Sequence, residues 1–339
     1  MDASSEAAAQ LDGEPGAGPH LSVVAPIYRE EGNVPELIRR LKESLQRVTE
    51  NFEIVLVEDA GGDRSWDRIV EAAAGDPRIK GLRFSRNFGQ HYAITAGLEM
   101  VSGDWVVVMD GDLQDRPEVI PDLYAKAQEG YDVVFVERQS RPEGKLYMWM
   151  QRAFYLLLRF LAGTEYDPRH GNFSIVSRKV VNGFRSLNEN LRFYGGIVWW
   201  LGYRRASIPA LHGERFSGRS VYTLGKRVRL AAAIILAHSD RPLHFSIGIG
   251  LVMAFLAFVY GLYIILRAIF GDVAVQGWAS LIVSIYFVGG LILFVLGIMG
   301  LYIGKLYQET KHRPLYIVAE SIGFGNDTGP LRPSRRVQQ

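Results

Sequence analysis

Three apolar stretches of this chain each run into a cluster of acidic side chains. Leu21–Ala25 leads into Pro26-Ile27-Tyr28-Arg29-Glu30-Glu31, Glu53–Val57 into Glu58-Asp59-Ala60-Gly61-Gly62-Asp63, and Trp105–Met109 into Asp110-Gly111-Asp112-Leu113-Gln114-Asp115. An Asp-x-Asp pair after a buried strand brings two hard oxygen donors near one point, and Gln114 can add a carbonyl oxygen. Such a set suits Mg²⁺ or Mn²⁺ bridging a diphosphate. The same pair also suits phosphoryl transfer in an aspartyl phosphatase, although such enzymes usually continue with Gly-Thr, where this chain has Leu113-Gln114. Polar turns end many strands, so one acidic end says little; three in one domain say more. Neither Gly-x-x-x-x-Gly-Lys-Ser/Thr nor Gly-x-Gly-x-x-Gly occurs, so a phosphate-bearing ligand would be held by metal and basic side chains rather than by a glycine loop. Cysteine is absent, which excludes disulfides, thiolate nucleophiles and Cys-based metal sites.

The elements that must position these carboxylates follow from apolar periodicity. Strand-length runs at Leu21–Ala25, Glu53–Val57, Trp105–Met109 and Asp132–Val136 alternate with helix-like segments such as Val34–Val48, a pattern that predicts an α/β parallel sheet. Ligands of such sheets bind at the carboxyl ends of the strands, where the acidic clusters lie. With 48% hydrophobic residues and a net charge of +2, the chain is neither disordered nor a generic nucleic-acid binder. Residues 1–19, rich in Ala, Gly, Glu and Pro, read as a disordered tail. Leu243–Leu266 and Val273–Gly304 carry no charged side chain, and each exceeds the ~20 residues that span a bilayer. They read as a transmembrane hairpin. Its connection holds only Arg267 and Asp272, whereas Lys226, Arg227, Arg229 and Arg241 precede it and Lys305, Lys311 and Arg313 follow, which places both flanks in the cytoplasm. Lys145, Arg152 and Arg159 form a basic stripe on the apolar stretch Lys145–Ala162, and Lys226–His238 is a second basic-to-apolar stretch; both are expected to be interfacial helices.

Val24-Ala25-Pro26-Ile27-Tyr28-Arg29-Glu30-Glu31, Val57-Glu58-Asp59, Arg86-Asn87-Phe88-Gly89-Gln90, Asp110-Gly111-Asp112-Leu113-Gln114-Asp115 and Glu214-Arg215-Phe216-Ser217-Gly218-Arg219-Ser220 resemble family-2 glycosyltransferases. Within that family the resemblance is to the polyprenyl-phosphate glycosyltransferases. It runs from Leu21 through Tyr302-Ile303-Gly304-Lys305 to Arg313-Pro314-Leu315-Tyr316-Ile317-Val318. It implies a GT-A catalytic domain that transfers one sugar, with inversion, from a nucleotide sugar, most readily a UDP-sugar, to undecaprenyl phosphate. The setting it implies is the cytoplasmic face of a bacterial plasma membrane, with Mg²⁺ or Mn²⁺ as cofactor, membrane lipids as partners and, by resemblance alone, a homotetramer. Carried over by position, Pro26, Tyr28, Glu30, Asp59, Asp110, Gly111 and Arg138 would bind the nucleotide sugar, with Asp59 on the base. Asp110, Asp112 and Gln114 would hold the metal. Asp112, Asn172 and Arg215 would be catalytic, and Arg215, Arg219, Ser220 and Lys226 would meet the acceptor phosphate. The implied organisation is a tail at 1–19, the GT-A domain at 20–214, a basic juxtamembrane segment at 215–242, a hairpin at 243–305 with spans 243–267 and 276–304, and a cytoplasmic tail at 306–339.

Two departures bear on mechanism. Relatives often have Asp-Phe-Arg where this chain has Asn172-Phe173-Ser174, and an amide cannot act as a base. A lipid monophosphate, with a second pKa of about 6, is already largely ionised and needs none. Val221 stands where relatives commonly have Lys, and Arg219 or Lys226 is expected to supply that charge. Leu301 replaces a Glu usual before Tyr-Ile-Gly, with no assigned consequence. Besides the transferase, two readings stay open: the aspartyl phosphatase, and a non-catalytic membrane scaffold on a transferase fold. A processive synthase is disfavoured because Gln-x-x-Arg-Trp is missing.

Overall fold

The computed structural model describes residues 20–138, 170–187, 189–190, 192–210, 241–270, 277–311 and 313–324. These fall into two compact units, one formed by the described residues up to 210 together with 314–324, the other by those from 241 to 313. The Lys145–Ala162 and Lys226–His238 stretches, and Arg215, Arg219 and Ser220, lie outside the described residues.

The first unit is built on one eight-stranded sheet of order β7-β5-β6-β4-β1-β2-β3-β8. Its strands are β1 (Leu21–Ile27), β2 (Phe52–Glu58), β3 (Ile79–Phe84), β4 (Trp105–Val108), β5 (Val133–Arg138), β6 (His170–Ser177), β7 (Arg205–Ala210) and β8 (Val318–Ile322). Strands β1 and β2 are buried along their whole length because helices cover both faces of the sheet, which is why they read as continuous apolar runs. One face packs against α1 (Val34–Gln46), α2 (Ser65–Gly75) and α4 (Ile120–Gln128), through Leu37, Leu41, Leu45, Trp66, Ile69 and Leu123. The other packs against α3 (Gln90–Met100), α5 (Arg178–Ser186) and α6 (Tyr194–Trp200), through Ala93, Ala96, Val180, Phe184, Tyr194 and Ile197. Successive β1 residues serve the two cores in turn, with Val23 and Ala25 in the first and Val24 in the second. Helix α1 is amphipathic in the expected way, with Val34, Leu37, Ile38, Leu41 and Leu45 buried at i, i+3, i+4 spacing and a proline in its first turn.

The α/β class expected from the sequence holds, and the sheet is mostly parallel: β1 with β2 and β4, β2 with β3, β5 with β7. Strand β6 runs antiparallel between β4 and β5, and β8 antiparallel beside β3. The tail expected at 306–339 contains a strand of this sheet. Residues 318–322 are a strand, because Val318 and Ile322 reach apolar neighbours while Ala319, Glu320 and Ser321 stay exposed on an edge.

The second unit contains α7 (Arg241–Phe270) and α8 (Trp278–Thr310), both long and apolar enough to cross a membrane. Phe255, Phe258 and Leu293 are 66%, 69% and 71% exposed, so the apolar surface of these helices is not that of a buried core.

Candidate active site

The chain proceeds from β1 outward to β2 and β3, then crosses back to place β4 on the other side of β1. This reversal is a topological switch point, and the crevice outside the carboxyl ends of β1 and β4 is where such sheets bind ligands. Strand β4 stops at Val108, paired with Val24, while β1 continues to Ile27 beside β2 alone. The Val24 carbonyl accepts from Met109 N–H (3.1 Å) and the Ile27 carbonyl from Asp59 N–H (2.9 Å), so by alternation Pro26 faces the β4 side, where pairing has ended. A residue without an N–H is therefore tolerated in a central strand.

Three strand ends meet this crevice, each through a residue with left-handed backbone: Arg29 (φ 59°) after β1, Ala60 (φ 50°) after β2 and Leu113 (φ 61°) after β4. These are the non-glycine positive-φ residues of the described chain, and strained backbone gathers where surrounding structure over-determines a functional loop. Gly111 must be glycine, since a Cβ there would lie 2.6 Å from Ile27 Cδ1 and 2.9 Å from the Pro26 carbonyl oxygen.

Asp110 follows β4 directly. Its Oδ1 accepts hydrogen bonds from Gln90 Nε2 (2.5 Å) and Asn172 Nδ2 (3.2 Å), and its backbone N–H donates to buried Asp115 (3.2 Å). Because β6 is antiparallel, the pairing of Val108 with Ser174 carries Asn172 to the height of Asp110. Asp112 Oδ1 accepts from Gln114 N–H (3.1 Å), which closes the turn. Among the described residues no three His, Asp or Glu gather to enclose an ion. Asp110 and Asp112 are two hard oxygen donors on one tight turn, a set that fits a divalent cation completed by ligand phosphate and water.

Asp59 is buried, with Oδ1 and Oδ2 accepting from the backbone N–H groups of Phe88 (2.7 Å) and Gly89 (2.8 Å). Burial pushes its carboxyl upward, against the pull of those two hydrogen bonds. Expected on a base, Asp59 thus also organises the loop leading to α3. Tyr28 is 42% exposed, with the Arg29 guanidinium 5.3 Å from its ring centroid and Arg29 Nε donating to the Gly61 carbonyl (3.0 Å). Glu30 ties the β1–α1 turn: its N–H donates to Ser65 Oγ (3.0 Å), its carboxylate accepts from Asn33 Nδ2 and its carbonyl from Val34 N–H (3.0 Å). Arg138 ends β5, paired with Ala210, and Glu137 pairs with His170 near the start of β6. Pro26, Tyr28, Asp59, Asp110, Gly111, Asp112, Asn172 and the backbone of Arg138 are thus brought to one edge of the sheet. Arg215, Arg219, Ser220 and Lys226, expected at the acceptor phosphate, are outside the described residues. Burial pushes His91 down to about 4, so its ring is neutral at pH 7. Sequence reading assigned no role to Gln90, although it opens the helix after Arg86-Asn87-Phe88-Gly89.

Residues 22–185 match the family described as Glycosyl transferase family 2. An uncharacterized glycosyltransferase of Bacillus subtilis (strain 168) is 38% identical over 90% of this chain and 95% of its own length. A prophage bactoprenol glucosyl transferase homolog of Escherichia coli (strain K12) is 36% identical over 88% of this chain and 98% of its own. The bactoprenol glucosyl transferase of Shigella phage SfV is likewise 36% identical, over 88% and 97%.

Proposed function

This chain belongs to glycosyl transferase family 2, and on that premise we propose that it transfers one glucosyl residue from UDP-glucose to a polyprenyl phosphate at the cytoplasmic face of a bacterial membrane. The observation that carries this reading is the placement of Asp110 and Asp112 beside Pro26–Tyr28 across the β1/β4 crevice, in a chain that also has two membrane-length apolar helices. Relatives of nearly full length named for bactoprenol glucosyl transfer support the lipid acceptor and the sugar. Family membership removes the motive for the aspartyl phosphatase reading.

In the proposed reaction an oxygen of the lipid phosphate attacks the anomeric carbon. A carbon–oxygen bond to the acceptor forms as the bond to the nucleotide diphosphate breaks, inverting the centre. A Mg²⁺ or Mn²⁺ ion held by Asp110 and Asp112, with Gln114 beside them, would supply positive charge to the departing diphosphate. The protein need not remove a proton, because a phosphate monoester is largely ionised above about pH 6. Asn172 fits that chemistry: it donates an N–H to Asp110 and accepts no proton. Tyr28 offers an exposed ring to the nucleoside, and the Asp59-held loop bounds the same edge. Arg138, Arg215, Arg219, Ser220 and Lys226 are assigned to phosphate groups, and the tail, domain and hairpin boundaries are those given from the sequence, with β8 returned to the catalytic domain.

The test is transfer of radiolabelled glucose from UDP-glucose into an organic-extractable product by purified protein with undecaprenyl phosphate and Mn²⁺ or Mg²⁺. Metal-dependent labelling that falls at least about 100-fold in Asp112→Asn is expected, the scale on which loss of one electrostatic stabiliser acts. No labelling from any UDP- or GDP-sugar by folded protein would instead favour the scaffold if nucleotide does not bind, and a rarer donor if it does.

A further inference from the structure

We propose that Gln90 is a positioning residue which, with Asn172, clamps the Asp110 carboxylate in the orientation that a divalent cation and its diphosphate require. The inference rests on the function proposed above and adds a residue to it. Only the N–H side of a carboxamide can hydrogen-bond a carboxylate, so the orientations of both amides are dictated by Asp110. Their donors reach the same oxygen from different elements, Gln90 from the first residue of α3 and Asn172 from β6. One oxygen held from two directions stops the carboxylate turning about its last bond. Neither donor carries charge. A lysine or arginine in either place would neutralise Asp110 and compete with a cation, and a carboxylate at 172 would face Asp110 with like charge at hydrogen-bond distance.

Gln90 is itself fixed. Gly89 before it has φ 108° and donates its N–H to Asp59 Oδ2 (2.8 Å). Further along, Gly97 lets α3 lie against the Val24 side chain of β1, with no room for a Cβ between them. Asp59, the Gly89 turn and Gln90 therefore form a continuous brace from the end of β2 to the end of β4. Outer partners that orient metal-binding side chains typically account for about 10- to 100-fold in metal affinity.

The experiment is Mn²⁺ titration of the detergent-purified full chain with saturating UDP, read by the electron paramagnetic resonance of free Mn²⁺, beside thermal unfolding without metal. Gln90→Leu is expected to weaken Mn²⁺ binding about 10- to 100-fold while the unfolding temperature holds, and Gln90→Glu is expected to weaken it further. In the transfer assay, excess Mn²⁺ restores Gln90→Leu turnover, a rescue that a merely structural role would not permit. Wild-type-like Mn²⁺ affinity in Gln90→Leu overturns the clamp and leaves the proposed function standing. Failure of the wild type to bind Mn²⁺ with UDP overturns both. If Gln90→Leu does not fold, Asn172→Leu decides in the same titration, with a loss expected and unchanged affinity overturning the proposal.

Discussion

Ala60 sits at φ 50° with a methyl group that disfavours that backbone, one residue past the carboxylate that holds the Phe88–Gly89 loop. An L-residue in the left-handed region costs about 1–2 kcal/mol, and glycine removes that penalty while loosening the unfolded chain by about 0.4–1 kcal/mol. Ala60→Gly should therefore stabilise the fold by a net of up to about 1.6 kcal/mol, seen as a slightly higher unfolding temperature, and weaken UDP binding because the turn is less rigid. Calorimetry of unfolding and of UDP binding checks both halves. A proline inside β1, which would ordinarily argue against a central strand, is explained at the same scale by β4 ending at its pairing with Val24, two residues before Pro26.

At the scale of elements, α3 links the crevice to the chain entering the sheet's edge strand. Its first residue touches Asp110, and near its other end Glu99 accepts a hydrogen bond from the Tyr316 hydroxyl, on the segment leading into β8. Tyr316 is buried and stacks on Phe84 at 5.1 Å. Burial raises the Glu99 carboxyl above the usual carboxylate range, and the Tyr316 hydroxyl opposes that rise. An acid whose pKa is raised on folding contributes most below its unfolded value of about 4.3, and that contribution is lost as pH climbs through the folded value. Tyr316→Phe removes the opposing donor, so it should destabilise by about 1–3 kcal/mol, more at about pH 8 than at about pH 5. Urea unfolding at the two pH values would show the difference; equal losses would sink the argument.

At the scale of the whole molecule, the sheet begins before the two apolar helices and is completed after them, since β8 pairs with β3. Residues on both sides of the two apolar helices thus belong to one folded unit, whose cytoplasmic placement is a proposal from the distribution of Lys and Arg. The absence of native cysteine makes this directly testable. In intact spheroplasts a membrane-impermeant maleimide should label Asp272→Cys, between the helices, and spare Ala125→Cys, exposed on α4; lysis should make both reactive. Labelling of Ala125→Cys before lysis would invert the topology.

The sequence by itself determined the α/β class, the acidic strand ends and the two apolar helices, because each is a local pattern: continuous apolar runs for buried strands, turn residues at their ends, long uncharged stretches. Only the tertiary structure decided that β6 enters antiparallel between β4 and β5, which is why Asn172, 62 residues from Asp110, donates to it. It also decided that 318–322 form an edge strand rather than a tail, since an edge strand needs few apolar residues and takes its stability from backbone pairing with β3. Gln90 was legible as part of a motif and not as a partner of Asp110, because a hydrogen bond between the start of a helix and the end of a distant strand leaves no periodic trace in the chain.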